Sequence, residues 1–209
     1  MMLALAIAPQ RTTLYGNLAR FFAAPELLAS PLGPRVREHL PLFARWRNDF
    51  TLARTFGGTP RPHTLEALAA AYDAGTGHEY AFTIYERATW RPVGWTYLFD
   101  VDWRARSAGF GIAIGEADAR GKGYGTETTR LMLDYAFTAL GLHSVMLTTD
   151  SYNLAGQAAY RKAGFKEFGR RRECALLNGA YHDWVYMDCL ASEFVSPVLG
   201  AVFSPDVPR

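Results

Sequence analysis

The stretch Phe110-Gly111-Ile112-Ala113-Ile114-Gly115-Glu116-Ala117-Asp118-Ala119-Arg120-Gly121-Lys122-Gly123-Tyr124-Gly125-Thr126-Glu127 reads as an apolar strand, a basic glycine-rich turn and the first turn of a helix. Glycines at 121, 123 and 125 remove Cβ atoms from the turn, so backbone N–H groups can approach a ligand closely. The helix that follows aims its free N–H groups and the positive end of its dipole at the same turn. Arg120 and Lys122 add charge there. Such a combination is an anion site, and the usual anion is a phosphate or pyrophosphate. Two nucleotide motifs are excluded. No window supplies G-x-x-x-x-G-K-[ST], and counting from Gly121 and Gly123, position 126 is Thr where a dinucleotide fingerprint requires Gly. Taken alone, the stretch also fits a glycine turn that merely reverses the chain.

The totals set the frame. A chain of 209 residues fills one core, and a single domain spanning 1–209 is expected, with 1–10 and 191–209 as possible terminal extensions. Hydrophobic content of 49% with 20% charged residues is ordinary for a globular protein. A net charge of +2 argues against wholesale nucleic-acid or membrane binding. Met1 to Pro9 is apolar but short and carries no basic residue, unlike a secretory signal, and it falls well under the roughly 20 apolar residues of a membrane span. A cytoplasmic location is therefore the default expectation.

Along the chain, Thr12 to Phe22 alternates loosely as a first strand, and Pro25 to Pro34 reads as a loop. Leu40, Leu42, Phe43, Trp46 and Phe50 recur at helical spacing. Thr64 is placed to cap a second helix running to about Asp73. Glu79 to Arg87 and Val93 to Phe99 form a strand pair, and Ala108 to Ile114 is the next strand. A helix over 124–140, a strand over 144–149 and a helix from Asn153 to Ala163 follow. Phe165 to Leu177 and Tyr181 to Leu190 make a hairpin about Asn178-Gly179. With those two turn residues, cross-strand partners pair Cys174 with Asp183 and Cys189 with Phe168, too far apart along the ladder for a disulfide. The apolar, proline-containing tail after Leu190 fits packing on the domain, packing on a partner, or disorder.

The pattern R-x-x-G-x-G, here Arg120-Gly121-Lys122-Gly123-Tyr124-Gly125, resembles the acyl-CoA pyrophosphate loop of the GNAT superfamily of N-acetyltransferases. A second segment, Asn153-Leu154-Ala155-Gly156-Gln157-Ala158-Ala159-Tyr160-Arg161-Lys162-Ala163-Gly164-Phe165, resembles the same family's motif of a helix-opening Asn, a Tyr seven residues on and a closing Gly-Phe. Leu177-Asn178-Gly179-Ala180-Tyr181-His182-Asp183 and Arg45-Trp46-Arg47-Asn48-Asp49 are similar to the ribosomal-protein N-terminal (Rim-type) branch. The likeness covers roughly 36–190. It implies an α+β fold with a mixed, mostly antiparallel sheet, splayed between two parallel central strands and flanked by helices. It also implies acetyl-CoA as cosubstrate, its pantetheine arm lying along Ile112, Ala113, Ile114 and Gly115 like an added strand. The pyrophosphate would sit on Arg120, Gly121, Lys122, Gly123, Tyr124, Gly125 and Thr126, and Asn153 would contact the pantetheine while capping its helix.

Acetyl transfer needs a neutral amine and a proton for the leaving thiolate. The Tyr160 hydroxyl is the candidate general acid, against the plainer reading of an aromatic in the core. Some relatives carry a glutamate where this chain has Thr148, which cannot act as a base, so deprotonation is expected to run through water. Glu173 and Asp150 are weak candidates for an assisting carboxylate. His143 and His182 have no partner at triad or metal-ligand spacing and read as structural, and no metal is expected. The acceptor is an amine: a peptide α-amine is favoured by the Rim-type likeness, with polyamine, amino-acid or antibiotic acetylation as the alternative. Asp100, Asp102 and the tryptophans Trp90, Trp95 and Trp103 are candidates to greet a cation, or are turn and core residues. A non-catalytic acyl-CoA-binding module is the rival from another class, and a homodimer is possible by analogy.

Overall fold

The computed structural model describes residues 32–55, 62–75 and 80–203. The proposed strand at Thr12 to Phe22 lies outside them. The chain enters through β1 (Leu32–Pro34) and a 3-10 turn, then α1 (Leu40–Arg47), α2 (Phe50–Ala53) and α3 (Leu65–Asp73). The strands β2 (Tyr80–Glu86), β3 (Arg91–Asp102) and β4 (Ser107–Ile114) form a meander. After it come α4 (Tyr124–Asp134), β5 (Ser144–Asp150), α5 (Leu154–Ala163), β6 (Lys166–Leu177), β7 (Ala180–Leu190) and a last turn, α6 (Leu199–Val202). The sheet has seven strands in the order β1-β2-β3-β4-β5-β7-β6, antiparallel throughout except for the parallel neighbours β4 and β5.

The helical run expected through Phe50 breaks in two. Asp49 accepts from the Thr51 N–H and caps α2 as a new start, so Phe50 falls out of phase and is 76% exposed. Leu40, Phe43 and Trp46 keep the inward face of α1. Thr64 caps α3 as expected, accepting from the Ala67 N–H at 3.1 Å. The long helix is α-helical only to Asp134; Tyr135–Ala139 widen into a π turn.

Each face of the sheet has its own core. The larger joins Phe82, Ile84, Leu98 and Phe110 to Leu131 and Met132 of α4 and to Phe165. The smaller joins Phe43, Trp46 and Leu52 to Trp95 and Ala113. Trp46 stacks on Trp95 with ring centroids 5.8 Å apart. Gly115 permits this: a Cβ there would lie 2.3 Å from the Trp46 ring.

The hairpin forms about Asn178-Gly179, with φ of 50° and 78° at the two turn residues, but its register does not run unbroken. Leu177 pairs with Ala180 and Ala175 with His182; the ladder then shifts between Arg171 and Ala175, and again between Glu167 and Gly169. The expected pairings of Cys174 with Asp183 and Cys189 with Phe168 are therefore corrected. The Glu173 N–H bonds the Asp183 carboxylate within the first bulge at a φ of 51°, and the second leaves Phe168 without a ladder partner. Both thiols are free, and Cys189 is buried.

The tail packs on its own domain as far as Leu199, with Val202 and Phe203 exposed beyond it. Buried Asp134 accepts from Ser196 Oγ at 2.6 Å, from the N–H groups of Val198 and Leu199 at 3.0 and 2.9 Å, and from Thr138 Oγ1 at 2.8 Å. One carboxylate thus stitches 196–199 to the end of α4, and Val198 and Leu199 join the main core.

Candidate active site

The decisive feature is where β4 and β5 stop pairing. They run together only through Ser107, Ala108 and Gly109, opposite Ser144, Val145 and Met146. Beyond that the strands part, leaving Phe110 to Ile114 unpaired on the side that faces β5. A cavity of about 170 Å³ fills the opening, lined by Thr55, Tyr97, Phe99, Phe110, Gly111, Ile112, Leu147, Thr148, Thr149 and Tyr160. It is small beside pockets of several hundred Å³ that hold compact ligands, and it suits a thin arm bearing a reactive end.

Tyr160 reaches the opening from α5, on the face of the main core. Its ring meets Phe110 at 6.4 Å and Phe165 at 6.2 Å, both edge-on. Its hydroxyl has no hydrogen-bond partner among the described residues, and burial pushes its pKa up to about 12. The phenol is therefore held neutral, and core packing and a place at the cavity coexist in it. Asn153 caps α5 by accepting from the Gly156 N–H at 3.1 Å. Its amide donates to Thr149 Oγ1 at 3.2 Å and to the Thr55 carbonyl at 3.4 Å. Both amide hydrogens thus brace the cavity wall, leaving only Oδ1 with spare acceptor capacity toward a ligand.

The glycine turn is preorganised and open. Gly121 and Gly123 hold φ of 75° and 89°, a left-handed conformation natural only to glycine, and a Cβ on 121, 123 or 125 would meet open space. Gly123 is the N-cap of α4 and offers no side chain, so no side-chain cap occupies the first N–H groups of that helix. The Lys122 ammonium is exposed and forms no ion pair among the described residues. The other two side chains expected to line the loop do different work. Arg120 folds back, donating to the carbonyls of Ile114 at 3.0 Å and Gly115 at 3.1 Å and lying 3.5 Å from Asp49, so it braces the loop against β4. Tyr124 turns its ring inward, its hydroxyl donating to Glu86 at 3.1 Å, which leaves its backbone N–H for a ligand. The loop, the opening and Tyr160 together fit a ligand with a pyrophosphate, an extended arm and a reactive end.

Glu173 is not brought to this site. It is exposed in the hairpin bulge and does not line the cavity, so its assignment as an assisting base is corrected. Thr148 lines the cavity, while Asp150, two residues on, is buried and hydrogen-bonded with Tyr152. The tryptophans do not form the aromatic wall either: Trp95 is in the smaller core, and Trp90 and Trp103 are exposed. Asp102 accepts from the N–H groups of Arg104 and Ala105 and is a turn residue.

The aromatic wall is Tyr97 and Phe99, which the sequence reading passed over. They alternate on β3 directly opposite Gly111 and Gly109 of β4, and each ring covers its glycine. A Cβ on Gly111 would lie 2.4 Å from the Tyr97 ring, and one on Gly109 2.5 Å from Phe99. Aromatics at i and i+2 facing glycines at i and i+2 across a hairpin were the available signal. His182 sits against Tyr152, ring centroids 4.9 Å apart, and His143 is exposed. No cluster able to hold a metal occurs among the described residues, and no helix among them is long and apolar enough to cross a membrane.

Known proteins share this arrangement. The chain is 32% identical over 113 residues to the spermidine N(1)-acetyltransferase of Vibrio cholerae, spanning 54% of this chain and 65% of that relative. It is 26% identical over 172 residues to the spermidine N(1)-acetyltransferase of Escherichia coli K12, 82% of this chain and 91% of the other. A putative ribosomal N-acetyltransferase of Bacillus subtilis is 33% identical over 101 residues, 48% and 55% of the two chains. The matches to the Vibrio and Bacillus relatives thus span less than two thirds of their lengths. The crystal structure of spermidine N-acetyltransferase from Vibrio cholerae in complex with CoA and spermine superposes with a TM-score of 0.72 at 26% identity, covering 79% of this chain and 97% of that one. Residues 32–166 match the family described as acetyltransferase (GNAT) domain. With a splayed parallel pair, a glycine loop at a helix start and a tyrosine at the opening, the chain belongs to the GNAT acetyltransferase family.

Proposed function

We propose that this protein transfers an acetyl group from acetyl-CoA to a primary amine of a small molecule, by direct attack of the amine on the thioester. The observation that carries the reading is the Tyr160 hydroxyl, unpartnered in a cavity open between β4 and β5. Acetyl-CoA supplies the activated acyl group. The chain's own residues bind, orient and hold a proton. The N–H groups of 121–126 and the Lys122 ammonium receive the pyrophosphate. The free side of Phe110 to Ile114 aligns the arm. The phenol of Tyr160 gives its proton to the departing sulfur.

A phenol at about 12 is a reluctant donor to a thiolate whose thiol in water resembles cysteine at about 8.5. The same cavity desolvates the sulfur and raises it, in the direction in which burial and the nearby Glu193 and Asp188 carboxylates raise the Cys189 thiol to about 11. The gap narrows accordingly. No carboxylate among the described residues lines the cavity, so the amine loses its proton through water in this reading.

Similarity to two spermidine acetyltransferases over most of the E. coli chain supports a small-molecule acceptor over the peptide α-amine that the Rim-type likeness favours. The peptide reading keeps one supporting observation, the likeness to a putative ribosomal N-acetyltransferase. Thiol release from acetyl-CoA across a panel of amines, with Tyr160→Phe beside the wild type, tests the proposal. A loss in kcat of about 100-fold or more with acetyl-CoA affinity unchanged is expected from removing a general acid. Turnover that survives the substitution removes Tyr160 from the mechanism.

A further inference from the structure

We propose that Glu86 is a positioning residue for acetyl-CoA: by holding Tyr124, while Arg91 holds Asp118, it fixes both ends of the pyrophosphate loop in the binding shape before the ligand arrives. This rests on the acetyl-CoA reading above.

Three acids stand around a loop built to receive an anion. Glu116 and Asp118 come just ahead of it in the chain, and Glu86 touches Tyr124 just after it. Each is held by a partner. Glu116 pairs with Arg45 and accepts from Trp46 Nε1 at 3.0 Å. Asp118 receives the Arg91 guanidinium as a fork, at 3.2 and 2.7 Å. Glu86, with its side chain 16% exposed, accepts from the Tyr124 hydroxyl at 3.1 Å and from Thr89 Oγ1 at 2.7 Å, and Arg91 Nε lies 3.8 Å away. The Thr89 and Tyr124 hydroxyls hold its carboxyl below the usual range, so it stays ionised and a full acceptor.

Two of these contacts lead back to one place. Glu86 ends β2, Arg91 begins β3, and the two face each other in the ladder. The turn between them is fixed: Trp90 sits at a φ of 55° with its N–H on the Glu86 carbonyl at 2.8 Å, and the Arg91 N–H donates to Thr89 Oγ1 at 3.3 Å. This turn grips the loop at Asp118, ahead of Gly121, and again at Tyr124, directly after Gly123. Val93 on the same strand adds a backbone bond, its carbonyl accepting from the Glu116 N–H at 3.1 Å. Between the grips a Cβ on Gly121 or Gly123 would meet open space, so packing does not hold the glycines. Glycine loses the most conformational freedom on ordering, and a loop ordered only by its ligand would subtract that loss from affinity. Tyr124 is the first residue of α4, so holding its side chain also holds the direction of the free N–H groups at that helix start.

Calorimetry of CoA binding to wild type, Glu86→Ala, Glu86→Gln, Tyr124→Phe and the Glu86→Ala/Tyr124→Phe double variant tests the proposal. On charge alone, deleting an acid beside an anion site tightens binding. The clamp predicts the opposite sign: Glu86→Ala should weaken CoA binding about 5- to 20-fold, as for one hydrogen bond to a charged acceptor. Tyr124→Phe changes no charge and removes one oxygen, and it should weaken binding to a similar degree. The double variant should lose no more than either single one, because both remove the same bond. Glu86→Gln keeps an acceptor for the phenol and should recover binding to within about threefold of wild type. With an amine that the panel above identifies, Glu86→Ala should raise KM for acetyl-CoA while kcat and the acceptor KM stay within about twofold, a split that general loss of structure does not produce. CoA binding unchanged or tightened in both single variants, or losses that add in the double variant, overturns the proposal and leaves acetyl transfer standing. Tyr124→Phe decides the matter if Glu86→Ala does not fold. If the wild type binds no CoA, the acetyl-CoA reading fails and the clamp with it.

Discussion

The two halves of the site are built from different material. The side proposed to receive acetyl-CoA is made largely of backbone: N–H groups from Gly121 to Thr126, the unpaired side of Phe110 to Ile114, and a helix start capped by a residue without a side chain. The wall where, in the proposed reaction, the acceptor meets the thioester is made of side chains from distant segments: Thr55 after α2, Tyr97 and Phe99 on β3, Thr148 on β5. A backbone site demands particular residues at consecutive positions, because only glycine holds φ of 75° and 89° without strain. A side-chain site can be assembled from many residue types and leaves no local pattern. Binding a common cosubstrate and choosing a particular amine are therefore recorded differently in the same 209 residues.

The sharpest way to break this contrast is Gly123→Val. A β-branched residue at a φ of 89° costs about 2 kcal/mol, so acetyl-CoA affinity should fall about thirtyfold while the order of preference among acceptors stays the same. A change in acceptor preference would show that the loop shapes both halves. Gly111→Ala probes the other side. Its new Cβ would lie 2.4 Å from the Tyr97 ring, which must move at a cost of about 1 kcal/mol. Steady-state kinetics should show acceptor KM raised about fivefold, with acetyl-CoA affinity barely altered.

The smallest effect is expected from pH. Burial raises the Tyr160 phenol to about 12, so its proton is retained at every pH below that value. Plotted from pH 6 to 10, kcat/KM should rise as the acceptor amine loses its proton and show no descending limb from Tyr160. A descending limb in that range, absent from Tyr160→Phe, would mean that the phenol ionises far more easily than its burial implies.

The same contrast explains what the sequence disclosed. The glycine loop, the Asn153-to-Phe165 helix and the Asn178-Gly179 hairpin were legible because each is a contiguous pattern with one backbone solution. The roles of Arg120 and Tyr124 were not, since a guanidinium that folds onto the carbonyls of Ile114 and Gly115 looks the same in sequence as one facing a phosphate. The hairpin register escaped because the bulge at Glu173 carries no glycine or proline, although Gly169 marks the second one. Tyr97 and Phe99 were hidden among other strand aromatics, and only their pairing with Gly111 and Gly109 distinguishes them. Of the two readings open for Asp102, a partner for a cationic amine or a turn residue, the second holds: its carboxylate accepts from the N–H groups of Arg104 and Ala105.

Hydrogen exchange with and without acetyl-CoA tests the backbone-built site most directly, because it reads the amide groups themselves. The account predicts slowed exchange at 121–126 and 110–115, with the hairpin bulge at 172–174 unchanged. Binding of acetyl-CoA with no protection at 121–126 would contradict it.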